Sequence, residues 1–154
     1  MITIRNYSVE DAEALWNIHF YTIRNINIRD YSQAQVEAWA PERLDLSVWE
    51  KWMKGLSPFV AEIDGVIVGY TDLQASGFID HFFCHNEYQG KGVGKALMNH
   101  VFKVGNSRGI KRYFSDVSIT ARPFYEHFGF KVVQVQEMEV RGQKLRNFVM
   151  EKYS

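Results

Sequence analysis

The sequence predicts an α/β protein of the α+β kind, a mixed and largely antiparallel sheet of six to seven strands flanked by helices. Three observations carry the prediction. Serine-led capping boxes crowd the first 50 residues, each a reciprocal pair that satisfies orphan N–H groups at a helix start. Short runs of β-branched and aromatic residues follow, some joined by turn dipeptides such as Asp64-Gly65 and Arg141-Gly142. Between the runs lies "EYQGKGVGKALMNHVF", Glu87 to Phe102, a glycine-rich loop that becomes an apolar-striped helix.

Ile2–Asn6 opens the chain as a strand. Ser8 with Asp11 starts a first helix, whose apolar stripe is Ala12, Leu15, Trp16, His19, Phe20 and Ile23. Ser32 with Gln35 starts a second, through Val36 and Trp39 to Pro41, and Ser47 with Glu50 a short third that stops near Gly55. Phe59–Ile63 and Val66–Leu73 flank Asp64-Gly65 as a hairpin with a type I′ turn. After the Ser76-Gly77 break, Phe78–Cys84 reads as one strand. A helix from about Gly92 to Ser107 is striped at Val93, Ala96, Leu97, His100, Val101 and Val104. A strand at Tyr113–Val117 is followed by a short helix over roughly Arg122–Phe128. Pro123 falls in its first turn, where a missing N–H is harmless, and Gly129 stops it. Lys131–Val140 and Leu145–Lys152 close the chain as strands around Arg141-Gly142.

A chain of 154 residues is read as one domain, 1–154, large enough to bury a core without disulfides. Its 46% hydrophobic and 23% charged residues are those of an ordinary soluble globule. Cys84 is the single cysteine, which fits a reducing compartment. The first residues, Met1 to Arg5, carry no apolar leader pattern, and no apolar run approaches membrane-spanning length, so a cytoplasmic protein with no membrane partner is expected. Eighteen basic residues balance 18 acidic ones, which argues against a nucleic-acid partner. The distribution is uneven. From Gln89 to Arg112 stand Lys91, Lys95, Lys103, Arg108, Lys111 and Arg112 with no acidic residue among them. Because the run begins at the glycine loop, a small ligand carrying several phosphates is expected there.

The loop fails two nucleotide patterns. A Walker A loop needs G-x-x-x-x-G-K-[ST], but Gly94-Lys95 is followed by Ala96, and Gln89 stands five residues before Gly94. A dinucleotide fingerprint needs G-x-G-x-x-G, and counting from Gly90 and Gly92 lands on Lys95, in a loop that follows the fourth strand and not the first. What remains is a strand leading into a helix start, with backbone N–H groups converging on one spot and the helix dipole behind them. Glycine at 92 and 94 is expected to let a phosphate approach the backbone. A merely tight, glycine-rich turn is the other reading of these residues.

Gln89-x-x-Gly92-x-Gly94 resembles the Q/R-x-x-G-x-G/A motif of the GNAT superfamily of acetyl-CoA-dependent N-acetyltransferases, which cradles the coenzyme A pyrophosphate. "FYEHFGF", Phe124 to Phe130, is similar to that family's second motif, a tyrosine on a short helix ending in Gly-Phe. The match in element order runs from about Phe59 to the C-terminus. "YSQAQVEAWA" and "DVSITARPFYEHFGF" look like a bacterial branch typified by YafP-type acetyltransferases.

The resemblance implies a transferase with acetyl-CoA as co-substrate and a small-molecule or peptide amine as acceptor; the residues themselves lead one to expect no metal, and a monomer or a homodimer paired along the edge of the C-terminal hairpin. The resemblance also implies that Phe78–Cys84 splays from Tyr113–Val117 and that the pantetheine arm fills the gap like a missing strand, paired with backbone near Phe82, Phe83, Cys84 and Asn86. The pyrophosphate would rest on Gln89, Gly90, Lys91, Gly92, Val93, Gly94 and Lys95. Ser118 stands where relatives often carry an asparagine that touches the cofactor. Tyr125 occupies the position of the general acid that protonates the leaving thiolate, and a phenol is protonated at neutral pH. A backbone N–H at the splay would stabilise the developing oxyanion.

The acceptor amine, with a pKa near ~10.4, must also lose a proton. Strand alternation puts Phe78, Asp80, Phe82 and Cys84 on one face and Ile79, His81 and Phe83 on the other. Asp80 shares the region where relatives carry a base, and His81 is the reserve candidate. His19 and His100 sit on apolar stripes and are expected to be packed or hydrogen-bonded. The five histidines and one cysteine show no metal-ligand spacing. Trp16, Trp39, Trp49 and Trp52 are read as core of the N-terminal helices. In the family those helices form one wall of the acceptor pocket, so an acceptor with an apolar or aromatic part is a further expectation. The rival from another class is a non-catalytic coenzyme A-binding sensor built on the same loop.

Overall fold

The computed structural model describes residues 1–43 and 45–154. In chain order the elements are β1 (Ile2–Asn6), α1 (Ala12–Asn25), α2 (Gln33–Trp39), α3 (Leu46–Leu56), β2 (Phe59–Ile63), β3 (Val66–Thr71), β4 (Phe78–Ile79), β5 (Phe82–Cys84), α4 (Val93–Ser107), β6 (Arg112–Ser118), α5 (Arg122–His127), β7 (Lys131–Val140) and β8 (Gln143–Tyr153). Single 3-10 turns at Val9–Asp11 and Asn27–Arg29 flank α1. Among the described residues the strands form two four-stranded sheets, ordered β1-β2-β3-β5 and β4-β6-β8-β7. All neighbours are antiparallel except β4 and β6. Both hairpin turns carry positive φ at their two central residues, 50° and 78° at Asp64-Gly65 and 44° and 82° at Arg141-Gly142, as a type I′ turn demands.

Alternation sorts each sheet's side chains into two layers, and a bulge at Val68, opposite Ala61–Glu62, resets it in β3 so that Val68 and Tyr70 face opposite layers. On the first sheet, Val60 and Tyr70 pack under α1 and α3 with Leu15, Trp49 and Met53, while Ala61 and Val68 meet Val93 and Leu97 of α4. On the second, Tyr113, Val117, Phe148 and Met150 join Met98 and Val101 of α4 and Tyr125 of α5. Leu145 turns the other way, toward Ile23, Tyr31 and Val36 of the α1–α2 layer. Each such aliphatic side chain contributes about 1.5–3 kcal/mol on burial, so the two helical layers hold the sheets from both sides.

Three local expectations are corrected. Ser32 and Gln35 do form a reciprocal box, Gln35 N–H to Ser32 Oγ at 3.1 Å and Ser32 N–H to Gln35 Oε1 at 2.8 Å. The third helix, however, is capped by Asp45 and not by Ser47. The Asp45 carboxylate accepts the N–H groups of Ser47 and Val48, and a carboxylate at a helix start outcompetes the serine two residues on. At Ser8 the expected box with Asp11 is present, but it opens a 3-10 turn that runs into α1, and Asp11 is engaged by Arg5 at 2.7 Å as well as by Ser8 N–H at 2.8 Å. Finally, Phe78–Cys84 is not one strand. It breaks at Asp80-His81, and that break is where the two sheets part.

Candidate active site

β4 runs beside β6 as far as Ile79 opposite Ser115, and β5 runs beside β3 from Phe82 opposite Thr71. Asp80 and His81 lie between the two ladders, and side chains take both N–H groups and the His81 carbonyl. Asp80 N–H donates to Asp72 Oδ1 and Oδ2 at 3.1 and 3.2 Å, and His81 N–H to Asp72 Oδ1 at 2.6 Å. Ser115 Oγ donates to the Ile79 carbonyl at 2.6 Å, and Thr71 Oγ1 to the His81 carbonyl at 2.8 Å. Beyond the break, His85 N–H bonds the Val68 carbonyl. Antiparallel alternation then makes Tyr70–Phe83 the next hydrogen-bonded pair and turns the backbone of Phe82 and Cys84 away from β3, into the gap between the sheets. The Cys84 carbonyl is occupied by Thr22 Oγ1 at 2.8 Å and Gln89 Nε2 at 2.9 Å. The N–H groups of Phe82 and Cys84 and the Phe82 carbonyl face the cavity. Phe83 departs from its expected role, because its backbone is spent on the ladder and its ring turns to the opposite layer, 4.8 Å from His19.

The glycine loop follows directly. Gly90 and Gly92 hold φ of 74° and 84°, a conformation side chains disfavour. A Cβ at Gly90 would meet nothing within 4 Å, and at Gly92 only Ile2 Cδ1 at 3.9 Å, so both backbones are open to a ligand. Gly94 is small for another reason than the one expected. A Cβ there would lie 2.8 Å from Phe124 Cε1, so its bareness seats the Phe124 ring. Gln89 braces the loop from within through its bonds to Cys84 and His85 carbonyls. Lys91 and Lys95 are exposed at the loop, with Lys91 Nζ over the Tyr88 ring. The two arginines of the basic run serve elsewhere. Arg108 donates to the Leu73 carbonyl and Arg112 pairs with Glu151 at 2.6 Å. Both lie past the far end of α4, roughly 20 Å away at 1.5 Å per residue.

Tyr125 is buried on α5, beside the Ser115 hydroxyl. Burial raises the phenol above its ordinary range, with the Ser115 hydroxyl opposing the shift and the Asp72 charge adding to it. Burial also pushes the Cys84 thiol up to about 12, which makes it a neutral wall of the slot and not a nucleophile. Ser118 lines the cavity, but its Oγ accepts Ala121 N–H at 3.0 Å and Asn27 Nδ2 at 3.4 Å, a structural use at the entry to α5.

The cavity, about 1000 Å³, continues past the splay to the α1–α3 layer. Asp80 stands at its mouth, where such burial as it has raises its carboxyl and the charge of Asp116 adds to the effect. Asp116 accepts Gln136 Nε2 at 3.0 Å. His81, 4% exposed, has Nδ1 3.0 Å from the Tyr70 hydroxyl, and burial holds its imidazole down to about 4. His19 shares the same hydroxyl at 3.5 Å and is likewise depressed by burial, as its place on an apolar stripe led one to expect. Of the tryptophans Trp49 is fully core, its Nε1 donating to the Ala12 carbonyl at 2.8 Å, while Trp16 and Trp39 pack half-buried against the core and Trp52 is exposed. Trp16, Trp39 and Trp52 line the cavity together with Phe83. Two buried oxygens on the lining, Thr120 Oγ1 and Asn147 Oδ1, have no partner.

Sequence reasoning passed over Asp116, Asp72 and Asn147. Asp116 had a signal, since it lies two residues before Ser118 on one strand and shares its face. Among the described residues no group of His, Cys, Asp or Glu side chains is arranged to hold a metal ion, and no helix is long and apolar enough to cross a membrane.

Residues 27–152 match the model of the acetyltransferase (GNAT) domain. The chain belongs to that family, and its class is that of the N-acetyltransferases. Among its relatives, the uncharacterized N-acetyltransferase YafP of Escherichia coli K12 is 34% identical over 149 residues, 97% of this chain and 94% of that protein. A crystal structure of a GCN5-related N-acetyltransferase from Rhodopseudomonas palustris matches with a TM-score of 0.94 at 30% identity, over 99% of this chain and 95% of that one. The PaiA N-acetyltransferase of Thermoplasma acidophilum, solved in complex with coenzyme A, shares the fold at a TM-score of 0.76 and 22% identity, over 100% and 99% of the two chains.

Proposed function

We propose that this protein transfers an acetyl group from acetyl-CoA to a primary amine by direct attack, with donor and acceptor bound together. The observation that carries the reading is the unpaired edge of Phe82 and Cys84, which opens onto the gap beside the left-handed glycines of the loop. A peptide-like slot next to an anion cradle suits an amide-bearing arm that ends in a pyrophosphate. Acetyl-CoA, when bound, supplies the activated thioester. Backbone of Gln89, Gly90, Lys91, Gly92 and Val93 would hold its phosphates, with Lys95 adding charge, and Phe82 and Cys84 its arm.

The chain's own residues then manage two protons. Asp80, raised by burial and by Asp116, takes one from the acceptor ammonium, and the paired carboxylates draw that cation to the mouth of the cavity. His81 is the weaker base, held near 4 with its Nδ1 committed to Tyr70. Tyr125 Oη holds a proton beside Ser115 and gives it to the leaving sulfur, and the second proton, lost from the acylated nitrogen, restores the phenol. Holding both reactants in line removes several kcal/mol of the barrier.

The aromatic lining of Trp16, Trp39, Trp52 and Phe83 favours an amine with an apolar or aromatic body. The test is thiol release from acetyl-CoA across matched arylalkyl, aliphatic and peptide amines. Turnover with the aryl series at the lowest KM is expected. Coenzyme A binding without thiol release from any amine would replace this reading with that of a sensor domain.

A further inference from the structure

The geometry at the break points to Asp72. We propose that its buried carboxylate is a positioning group that parts the two sheets, keeping the donor slot open and holding Asp80 at the acceptor mouth. The proposal deepens the acetyl-transfer reading and depends on it only for its kinetic arm.

Asp72 follows the last residue of β3 and is 0% exposed. Among the described residues it forms no ion pair with a cation. A buried carboxylate without a counter-ion costs several kcal/mol, which a fold tolerates only where hydrogen bonds repay it. Here both oxygens are occupied, Oδ1 by the N–H groups of Asp80 and His81, and Oδ2 by Gln74 Nε2 at 2.6 Å with a second contact from Asp80 N–H. A carboxylate is suited to this because both its oxygens only accept. An asparagine would set an NH₂ group against one of those donors.

The consequence is geometric. Along a regular strand consecutive N–H groups point in opposite directions. Two consecutive N–H groups aimed at one carboxylate force the chain out of strand geometry at that point. The side-chain alternation is reset, so that Ile79 and Phe82, three residues apart, both pack into the α4–α5 layer. The same reset moves the chain from its ladder with β6 to its ladder with β3, and leaves the Phe82–Cys84 edge unpaired. Thr71 and Ser115 clamp the flanking carbonyls with neutral hydroxyls, and Gln74 braces the carboxylate with a neutral amide.

The experiment has two arms. In the unliganded wild type, amide hydrogen exchange read by NMR should show Asp80 and His81 protected by at least about 100-fold over the turn residues 75–76, although neither amide lies in a ladder. Equal exchange overturns the proposal without any variant. In Asp72→Asn and Asp72→Ala, coenzyme A binding by calorimetry should weaken by about 10-fold or more, equivalent to about 1.4 kcal/mol. With a substrate amine, kcat should fall together with a raised KM for acetyl-CoA. Val101→Ala, a core truncation at a residue that does not line the cavity, serves as the control for general destabilisation. Unchanged affinity in Asp72→Asn, or an equal loss in Val101→Ala, refutes the positioning role. A wild type that shows the protection and binds coenzyme A but acetylates no amine refutes acetyl transfer and leaves the role of Asp72 standing.

Discussion

Replacing Tyr125 by phenylalanine removes a single oxygen from the splay and leaves the ring packed against Phe82 and Phe130. Its neighbour is not orphaned by the change. Ser115 Oγ keeps its 2.6 Å bond to the Ile79 carbonyl, so no buried partner is stranded and the stability cost should stay below about 1 kcal/mol. The rate should suffer more. A group that gives a proton or hydrogen bond to a leaving thiolate contributes toward the low end of acid–base catalysis, roughly 10- to 100-fold, or about 1.4–2.7 kcal/mol of barrier. Burial raises the phenol pKa, so Tyr125 remains protonated across pH 6–9, and the loss should be the same throughout that window. The assay is thiol release at saturating acetyl-CoA and amine, at several pH values, beside a thermal melt. An unchanged kcat refutes the assignment. So does a loss confined to KM, which would make Tyr125 a binding surface and nothing more.

Three further outcomes are expected. Asp116→Asn removes a negative charge that raises Asp80, so the acidic limb of the kcat/KM profile should move to lower pH, and an unmoved limb would exclude Asp80 as the titrating base. Gly94→Ala drives a Cβ to 2.8 Å from the Phe124 ring, and should destabilise the fold by about 1–3 kcal/mol and raise the KM for acetyl-CoA, as read by melts and kinetics. His81, at about 4 when folded against about 6.5 unfolded, lets the native state bind fewer protons, so it withdraws about 3 kcal/mol of stability as pH falls from 6.5 to 4. Asp72, raised to about 6, binds its proton earlier in the native state and returns a similar amount over the same range. Melts at pH 4.5 and 7 should therefore show Asp72→Asn more acid-labile than wild type and His81→Gln less so.

Much of this molecule was legible because local chemistry decided it. The Ser32–Gln35 box, the Asp64-Gly65 and Arg141-Gly142 turns and the Gly129 stop all depend on residues within a few positions of one another. The glycine loop was legible for the same reason. The third helix was misplaced by one cap because two competent acceptors, Asp45 and Ser47, stand two residues apart, and only the charged one sits where the N–H groups converge. The break at Asp80-His81 could not be seen. Phe78–Cys84 is a short run of strand-forming residues interrupted only by the polar pair Asp80-His81, and the cause of its break is a carboxylate eight residues upstream. Gly94 shows the converse case, a residue that fits a motif while the space it leaves is filled by Phe124. The tryptophans read as core because aromatic content alone does not tell a packed wall from a cavity lining, and three of the four line the cavity.

The unpaired edge at Phe82 and Cys84 divides the evolutionary freedom of the protein in two. What that edge offers is peptide N–H and C=O, which every residue but proline supplies in full, so donor recognition is insulated from most side-chain changes along it. The acceptor wall has no such insulation, since Trp16, Trp39, Trp52 and Asn147 act through their side chains. A library randomised at those four positions should therefore drift in amine preference while its members go on accepting the same donor.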